Sequence, residues 1–167
     1  MEIYTKEYLD RDLIAFMSTV ANYSIHYHNF FQDLYKTGLR FCELQDFSRW
    51  SIVNEKEIIC DTAKDSLKRT FSRASFYTDF FERFISNDNI YLRINNSTAS
   101  YFFYTFYPKK YCCIDNKRLT NHLYRHNFAK IVKTFNNDDE EVRIALGEKS
   151  IVNARSYINS VIKYQER

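Results

Sequence analysis

The sequence predicts an α+β domain that is mostly α, with a small antiparallel sheet. Three observations predict it. Apolar residues recur at three- and four-residue spacing over long stretches at both ends of the chain, which is the helical period. One segment, residues 52–71, is instead broken into short, partly β-branched runs separated by polar turn residues. Finally, only two glycines and one proline punctuate 167 residues, and both glycines follow helical stretches. With 45% hydrophobic and 18% aromatic content, the chain is long enough to bury a core and too apolar for disorder. Residues 1–167 read as a single domain, without internal repeat or low-complexity linker.

A first helix is expected over Tyr4–Val20, with Thr5 as its cap and Leu9, Leu13, Phe16, Met17 and Val20 on its apolar side. A second follows from Ser24; Tyr23, Tyr27, Phe31 and Leu34 form its stripe, and Gly38 ends it. The third runs from Arg40 to Trp50 and sets Arg40 and Glu43 at i and i+3, within mutual reach. Ile52–Val53, Glu57–Asp61 and Lys68–Phe71 read as two or three antiparallel strands, joined by a turn holding Lys64, Asp65 and Ser66. Helix returns at Arg73–Ile85, which carries five aromatic residues. Asn87–Asn96 is polar and reads as loop. Thr98–Tyr107 is a short aromatic helix stopped by Pro108; its rings are assigned to core packing before base stacking.

Asn121–Phe135 is the helix around which the rest is arranged. At about 100° per residue, Tyr124, Phe128, Ile131 and Phe135 form one stripe, expected to face the core. His122, Arg125, His126 and Ala129 cluster on the opposite side, presenting imidazoles and a guanidinium beside a small residue. Asn136 and Asn137 then break the chain. Asp138, Asp139, Glu140 and Glu141 fall in the first turn of the next helix, where they complement its dipole. Val142, Ala145 and Leu146 face inward and Gly147 ends that helix. Ser150 caps the last one, whose stripe is Ile151, Ala154, Ile158, Val161 and Ile162, with Tyr157 about a quarter turn away.

Composition excludes several classes. No apolar run reaches the length of a membrane span or a signal peptide. Cys42, Cys60, Cys112 and Cys113 lack CxxC spacing, so a zinc site is not expected and the thiols are read as reduced and cytosolic. His26 and His28 would diverge by about 200° on a helix, which argues against a shared metal. The net charge is +3. Because four acidic charges sit in one run, the remainder carries a larger basic excess, concentrated at Lys109, Lys110, Lys117 and Arg118.

Three separated segments together resemble one family. Thr37-Gly38-Leu39-Arg40-Phe41-Cys42-Glu43-Leu44 is similar to the TGLRxxEL motif of tyrosine recombinases, the phage integrase family. His122-Leu123-Tyr124-Arg125-His126 resembles its HxLRH motif. Leu146-Gly147-Glu148-Lys149-Ser150-Ile151, followed by Tyr157, resembles its LGHxS(I)…Y motif. Lys64 matches the family's β-hairpin lysine, with Lys68 or Arg69 as alternative matches. The resemblance spans essentially the whole chain. It implies a helical catalytic domain that cuts and rejoins double-stranded DNA through a covalent 3′-phosphotyrosine, with no metal or other cofactor. Arg40 and Arg125 would offer planar donor forks to the phosphorane. Tyr157 would be the nucleophile, His122 would take its proton, and Lys64 would protonate the leaving 5′-oxygen. Glu43 and His126 would support them, and Lys68, Arg69, Lys109, Lys110, Lys117, Arg118 and Lys149 would contact DNA. The protein would then be cytoplasmic and associated with the nucleoid.

The chain departs from the family pattern in two places. Glu148 stands where the family has His or Trp. An ionised carboxylate cannot donate to a phosphate, and two unit charges about 4 Å apart repel by roughly 4 kcal/mol at an effective dielectric near 20. Protonation, a swing of Glu148 away, or replacement by Lys149 would relieve this; otherwise the protein no longer cuts DNA. The resemblance would also call for an N-terminal core-binding domain, which is expected to be absent here, the chain then being either a fragment or a minimal recombinase. Residues 158–167 form a tail that would pass to a neighbouring protomer on DNA or pack on its own domain. The first reading is therefore a recombinase or integrase of a phage or mobile element. The alternatives are a DNA-binding regulator that has lost catalysis and a type IB topoisomerase-like activity.

Overall fold

The computed structural model describes the backbone of residues 2–3, 6–62, 67–107, 109–113, 122–160 and 162–166, and the side chains of 9–62, 67–107 and 122–160. The elements follow in the order β1 (Glu2–Ile3), α1 (Lys6–Ala21), α2 (Ile25–Thr37), α3 (Phe41–Gln45), β2 (Trp50–Ile52), β3 (Glu57–Cys60), β4 (Arg69–Ser72), α4 (Phe80–Ile85), α5 (Asn96–Phe106), β5 (Lys109–Cys113), α6 (Leu123–Asn136), α7 (Asp139–Leu146), α8 (Ile151–Ile158) and β6 (Ile162–Glu166). Short 3-10 turns lie at Phe47–Arg49, Ile90–Arg93 and Arg73–Ser75. The fold is mostly helical, with antiparallel strands. Among the described residues there are two three-stranded sheets, β2-β3-β4 and β1-β6-β5, where the sequence predicts one. No helix among them is long and apolar enough to cross a membrane.

The core is built by the predicted stripe of α1, since Leu9, Leu13, Phe16, Met17 and Val20 are all buried, packed with Phe30, Phe31 and Leu34 of α2. Phe16 stacks on Phe103 of α5 with ring centroids 4.4 Å apart, and Phe31 stacks on Tyr124 of α6 at 5.7 Å. The local punctuation follows the sequence. Ser24 caps α2 by accepting from Tyr27 N, and Gly38 ends it at φ 66°. Asn137 ends α6 at φ 49°, Asp138 caps α7, and Gly147 ends that helix at φ 72°. These are left-handed conformations that glycine, and less readily asparagine, adopts.

Several expectations are corrected. The third helix stops at Gln45, because the Asp46 carboxylate accepts from both Ser48 N and Ser48 Oγ and turns the chain into β2. Arg73–Ile85 is not one helix. The backbone N–H groups of Tyr77 and Thr78 donate instead to Asp33 Oδ1, at 2.7 and 3.1 Å, so α4 begins only at Phe80. Asp33 lies on α2 and also accepts from Thr78 Oγ1 and from Tyr91 OH, both at 2.6 Å. Burial raises its pKa, and those hydrogen bonds oppose the shift. Tyr91 is fully buried although it lies in the segment read as loop. Phe135 is 83% exposed rather than core-facing, because residues 134–138 all lie in solvent where α6 ends. The last helix ends at Ile158, and Ile162 belongs to a strand. That strand, β6, is the centre of its own chain's sheet, with Tyr164 opposite both Glu2 of β1 and Tyr111 of β5.

Candidate functional site

Two glycine turns and the first turn of α6 converge on one buried cluster. Arg40 follows the Gly38 turn, and Glu43 reaches back to it: Oε1 accepts from Arg40 N at 2.7 Å and Oε2 from Arg40 Nη1 at 3.2 Å. Arg125, in the first turn of α6, is 1% exposed. Its Nη1 donates to Gly38 O at 2.8 Å, and its Nη2 donates to Leu146 O at 2.9 Å. Both bonds take carbonyls exposed by helix ends. Burial of Arg125 on the face predicted to carry it is complete, because α1, α2, α7 and α8 all pack on α6.

Glu148 closes the cluster. It is 4% exposed, and its Oε1 accepts from Arg40 Nη2 at 2.7 Å and from Arg125 Nη2 at 2.9 Å. One carboxylate oxygen therefore holds the position on which both guanidinium forks converge. Its own carbonyl accepts from Arg143 Nη1 at 3.0 Å, which anchors the segment between α7 and α8.

Tyr157, on the last turn of α8, is half-buried beside this pair. The Arg125 guanidinium carbon lies 5.1 Å from its ring centroid, an attractive cation–π contact. His126 also packs against it, at 4.8 Å between ring centroids. His126 Nδ1 lies 2.9 Å from Ser160 Oγ, whose hydroxyl donates to Tyr157 O at 2.9 Å. Burial, with smaller contributions from Lys130 and His122, lowers the His126 pKa to about 4, so the ring is neutral near pH 7. Lys130 Nζ donates to Ile158 O and Ser160 O, both at 2.9 Å, and clamps the end of α8.

The structure thus brings Arg40, Glu43, Arg125, His126, Glu148 and Tyr157 together. His122 is exposed at the N-terminal cap of α6, one turn from His126, whose N–H donates to its carbonyl. Lys149 is exposed, and Lys68 is exposed with an ion pair to Asp61 at 3.6 Å. Lys64, Lys117 and Arg118 lie outside the described residues, as do the side chains of Lys109 and Lys110. Arg69 departs from the expectation of a DNA contact on the surface. It is 5% exposed and donates through Nη2 to Thr37 O at 2.5 Å, inside the cluster. Strand periodicity carries the signal: in β4, Arg69 shares the buried face with Phe71. The clamps made by Ser160 and Lys130 have no such signature.

This architecture is the fold of a tyrosine-recombinase catalytic domain. No family model and no curated protein sequence matches the chain. The solved structures to which it is similar include a XerH site-specific recombinase bound to palindromic difH substrate in a post-cleavage complex, with a TM-score of 0.56 and 15% identity over 89% of this chain and 48% of that one. XerA recombinase gives 0.56 and 19%, over 95% of this chain and 60% of that one. A pre-cleavage XerH complex with difH gives 0.54 and 15%. The chain therefore spans about half to three-fifths of the length of these proteins.

Proposed function

We propose that this chain cuts and rejoins DNA as a site-specific recombinase of the integrase kind, through a covalent 3′-phosphotyrosine at Tyr157. The observation that carries this reading is the convergence of Arg40 Nη2 and Arg125 Nη2 on a single acidic oxygen, beside the Tyr157 ring. Two fixed forks of donors suit the non-bridging oxygens of a phosphorane. In the step proposed, the Tyr157 oxygen bonds to phosphorus and the bond to the 5′-oxygen breaks. His122 takes the phenol proton, and Lys64 supplies one to the leaving oxygen. The phosphotyrosine keeps the bond energy, so rejoining is the same step reversed. Glu43 orients Arg40 rather than touching DNA. The similar XerH structures are bound to difH substrate, which supports a DNA partner.

A covalent-adduct assay tests the reading. The protein is mixed with nicked duplexes from the DNA flanking its own gene and denatured in SDS. A DNA-linked band is expected from the native chain and none from Tyr157→Phe, which should still bind DNA. Cleavage that survives in Tyr157→Phe would sink the proposal. The position of Glu148 favours a second reading, a regulator that binds DNA and does not cleave it. It predicts sequence-specific binding with no adduct from the native chain, and an adduct from Glu148→His.

A further inference from the structure

The two glycine turns that feed the site are joined by a residue with no role in the reading above. Arg69 leaves β4 with its aliphatic stem laid across Gly147. A Cβ at that glycine would lie 2.7 Å from Arg69 Cγ and 2.8 Å from Cδ, so the absence of a side chain is what lets Arg69 pass. Its guanidinium then reaches Thr37 O, one residue before the Gly38 turn. Gly38 O and Leu146 O, which stand in those same two turns, are the carbonyls that hold Arg125. Arg69 thus spans the frame in which Arg125 is seated, and its guanidinium also packs 4.6 Å from the Phe71 ring and 5.6 Å from the Phe128 ring.

Its charge matters as well as its reach. Burial first, then the nearby Arg125 and Arg40, with Glu43 opposing them, lower the Arg69 pKa to about 9. It therefore remains protonated near pH 7. Among the described residues, three buried guanidiniums, Arg40, Arg69 and Arg125, face two buried carboxylates, Glu43 and Glu148, which leaves one positive charge in excess among them. Among the described residues, Arg69 Nη1 is a buried donor with no hydrogen-bond partner. Leaving a charged donor unsatisfied is costly, and an anion entering the cluster would relieve both the excess charge and that cost.

We propose that Arg69 is a positioning residue for Arg125 and the third cation of the anion site, supplying the charge that outweighs Glu43 and Glu148. This rests on the phosphate-binding role given to Arg40 and Arg125 above. It does not depend on strand cleavage. The test uses inorganic phosphate and orthovanadate as probes, titrated by calorimetry into the native chain, Glu148→Gln, and Glu148→Gln combined with Arg69→Lys or Arg69→Gln. Each variant is first checked by circular dichroism and thermal melting. Two replacements are used so that the failure of one to fold leaves the other. The expected result is measurable anion binding in Glu148→Gln, weakened at least tenfold by Arg69→Gln. Arg69→Lys should recover most of the loss, because it restores the charge; a merely structural residue would not track charge. Equal affinity in the three Glu148→Gln proteins would overturn the proposal, as would equal weakening by Lys and Gln or no anion binding in Glu148→Gln. An absent DNA adduct alongside Arg69-dependent anion binding would instead count only against the cleavage reading.

Discussion

Glu148→Gln should raise DNA cleavage while lowering stability. Glu148 Oε1 sits 2.7 Å from Arg40 Nη2 and 2.9 Å from Arg125 Nη2. A phosphate oxygen held by the same two nitrogens would need that same position. If the carboxylate stays nearby, at about 4 Å, it repels the phosphate by roughly 4 kcal/mol at an effective dielectric near 20. If it swings away, it forfeits two charge-assisted hydrogen bonds of about 1.5–3 kcal/mol each. Both routes converge on about 4 kcal/mol, on the order of a thousandfold in rate. Glutamine has nearly the same shape without the charge, so adduct formation should rise by about a hundredfold to a thousandfold. Stability moves the other way. Three buried guanidiniums are left with Glu43 alone, and removing one partner of a buried ion pair costs about 3–5 kcal/mol. The amide oxygen retains part of this, so a loss of about 2–3 kcal/mol is expected. Adduct yield on SDS gels and urea unfolding followed by circular dichroism read the two effects. Unchanged or reduced adduct from a folded Glu148→Gln protein would refute the reasoning, because the carboxylate would then belong to the machinery instead of competing with the phosphate.

Gly147→Ala should destabilise the protein by about 2–4 kcal/mol in urea unfolding, since it combines a left-handed backbone with overpacking: φ is +72° and the new Cβ would meet Arg69 Cγ at 2.7 Å. Gly38→Ala should cost a similar amount, with Phe128 Cγ only 2.6 Å from its Cβ. For His126 the folded pKa of about 4 lies below the ordinary value of 6.5. The unfolded chain therefore takes up the proton first, and stability is lost as pH falls from about 6.5 to about 4, by about 3 kcal/mol in all. Urea midpoints measured across that range should show this slope, and His126→Phe should flatten it.

The hairpin segment and most helix boundaries were legible because they are local. A period of 3.6, a serine or aspartate before it and a glycine after it describe hydrogen bonds that close within a few residues. Hence the apolar side of α1, the start of α2 near Ser24, the break at Asn137 and the helix-ending glycines Gly38 and Gly147 could be read directly, whereas Asp138, expected in the first turn of α7, is its cap. The inward face of β4 is marked by the same kind of local signal, the alternation that puts Arg69 and Phe71 on one side. Where local preference met a distant competitor, the sequence misled. Asp33 takes two N–H groups, 44 and 45 residues away, that a helix at Arg73–Ile85 would have used. Phe135 keeps the helical stripe yet faces solvent, at the end of α6 where residues 134–138 are all exposed. β6 is a strand only because β1 and β5, from elsewhere in the chain, flank it.

The sequence by itself determined the fold class, the first helices, the β2–β4 segment and the residue types that gather at the site, but not the sheet of β1, β5 and β6. Only the tertiary structure decided how their charges balance. Glu148 meets Arg40 across 108 residues and Arg125 across 23, and Arg69 enters from a third element. Periodicity specifies which face a side chain occupies. It does not specify what stands opposite. For a buried ion that opposing partner decides the energy, because the low dielectric makes each pairing or omission worth several kcal/mol.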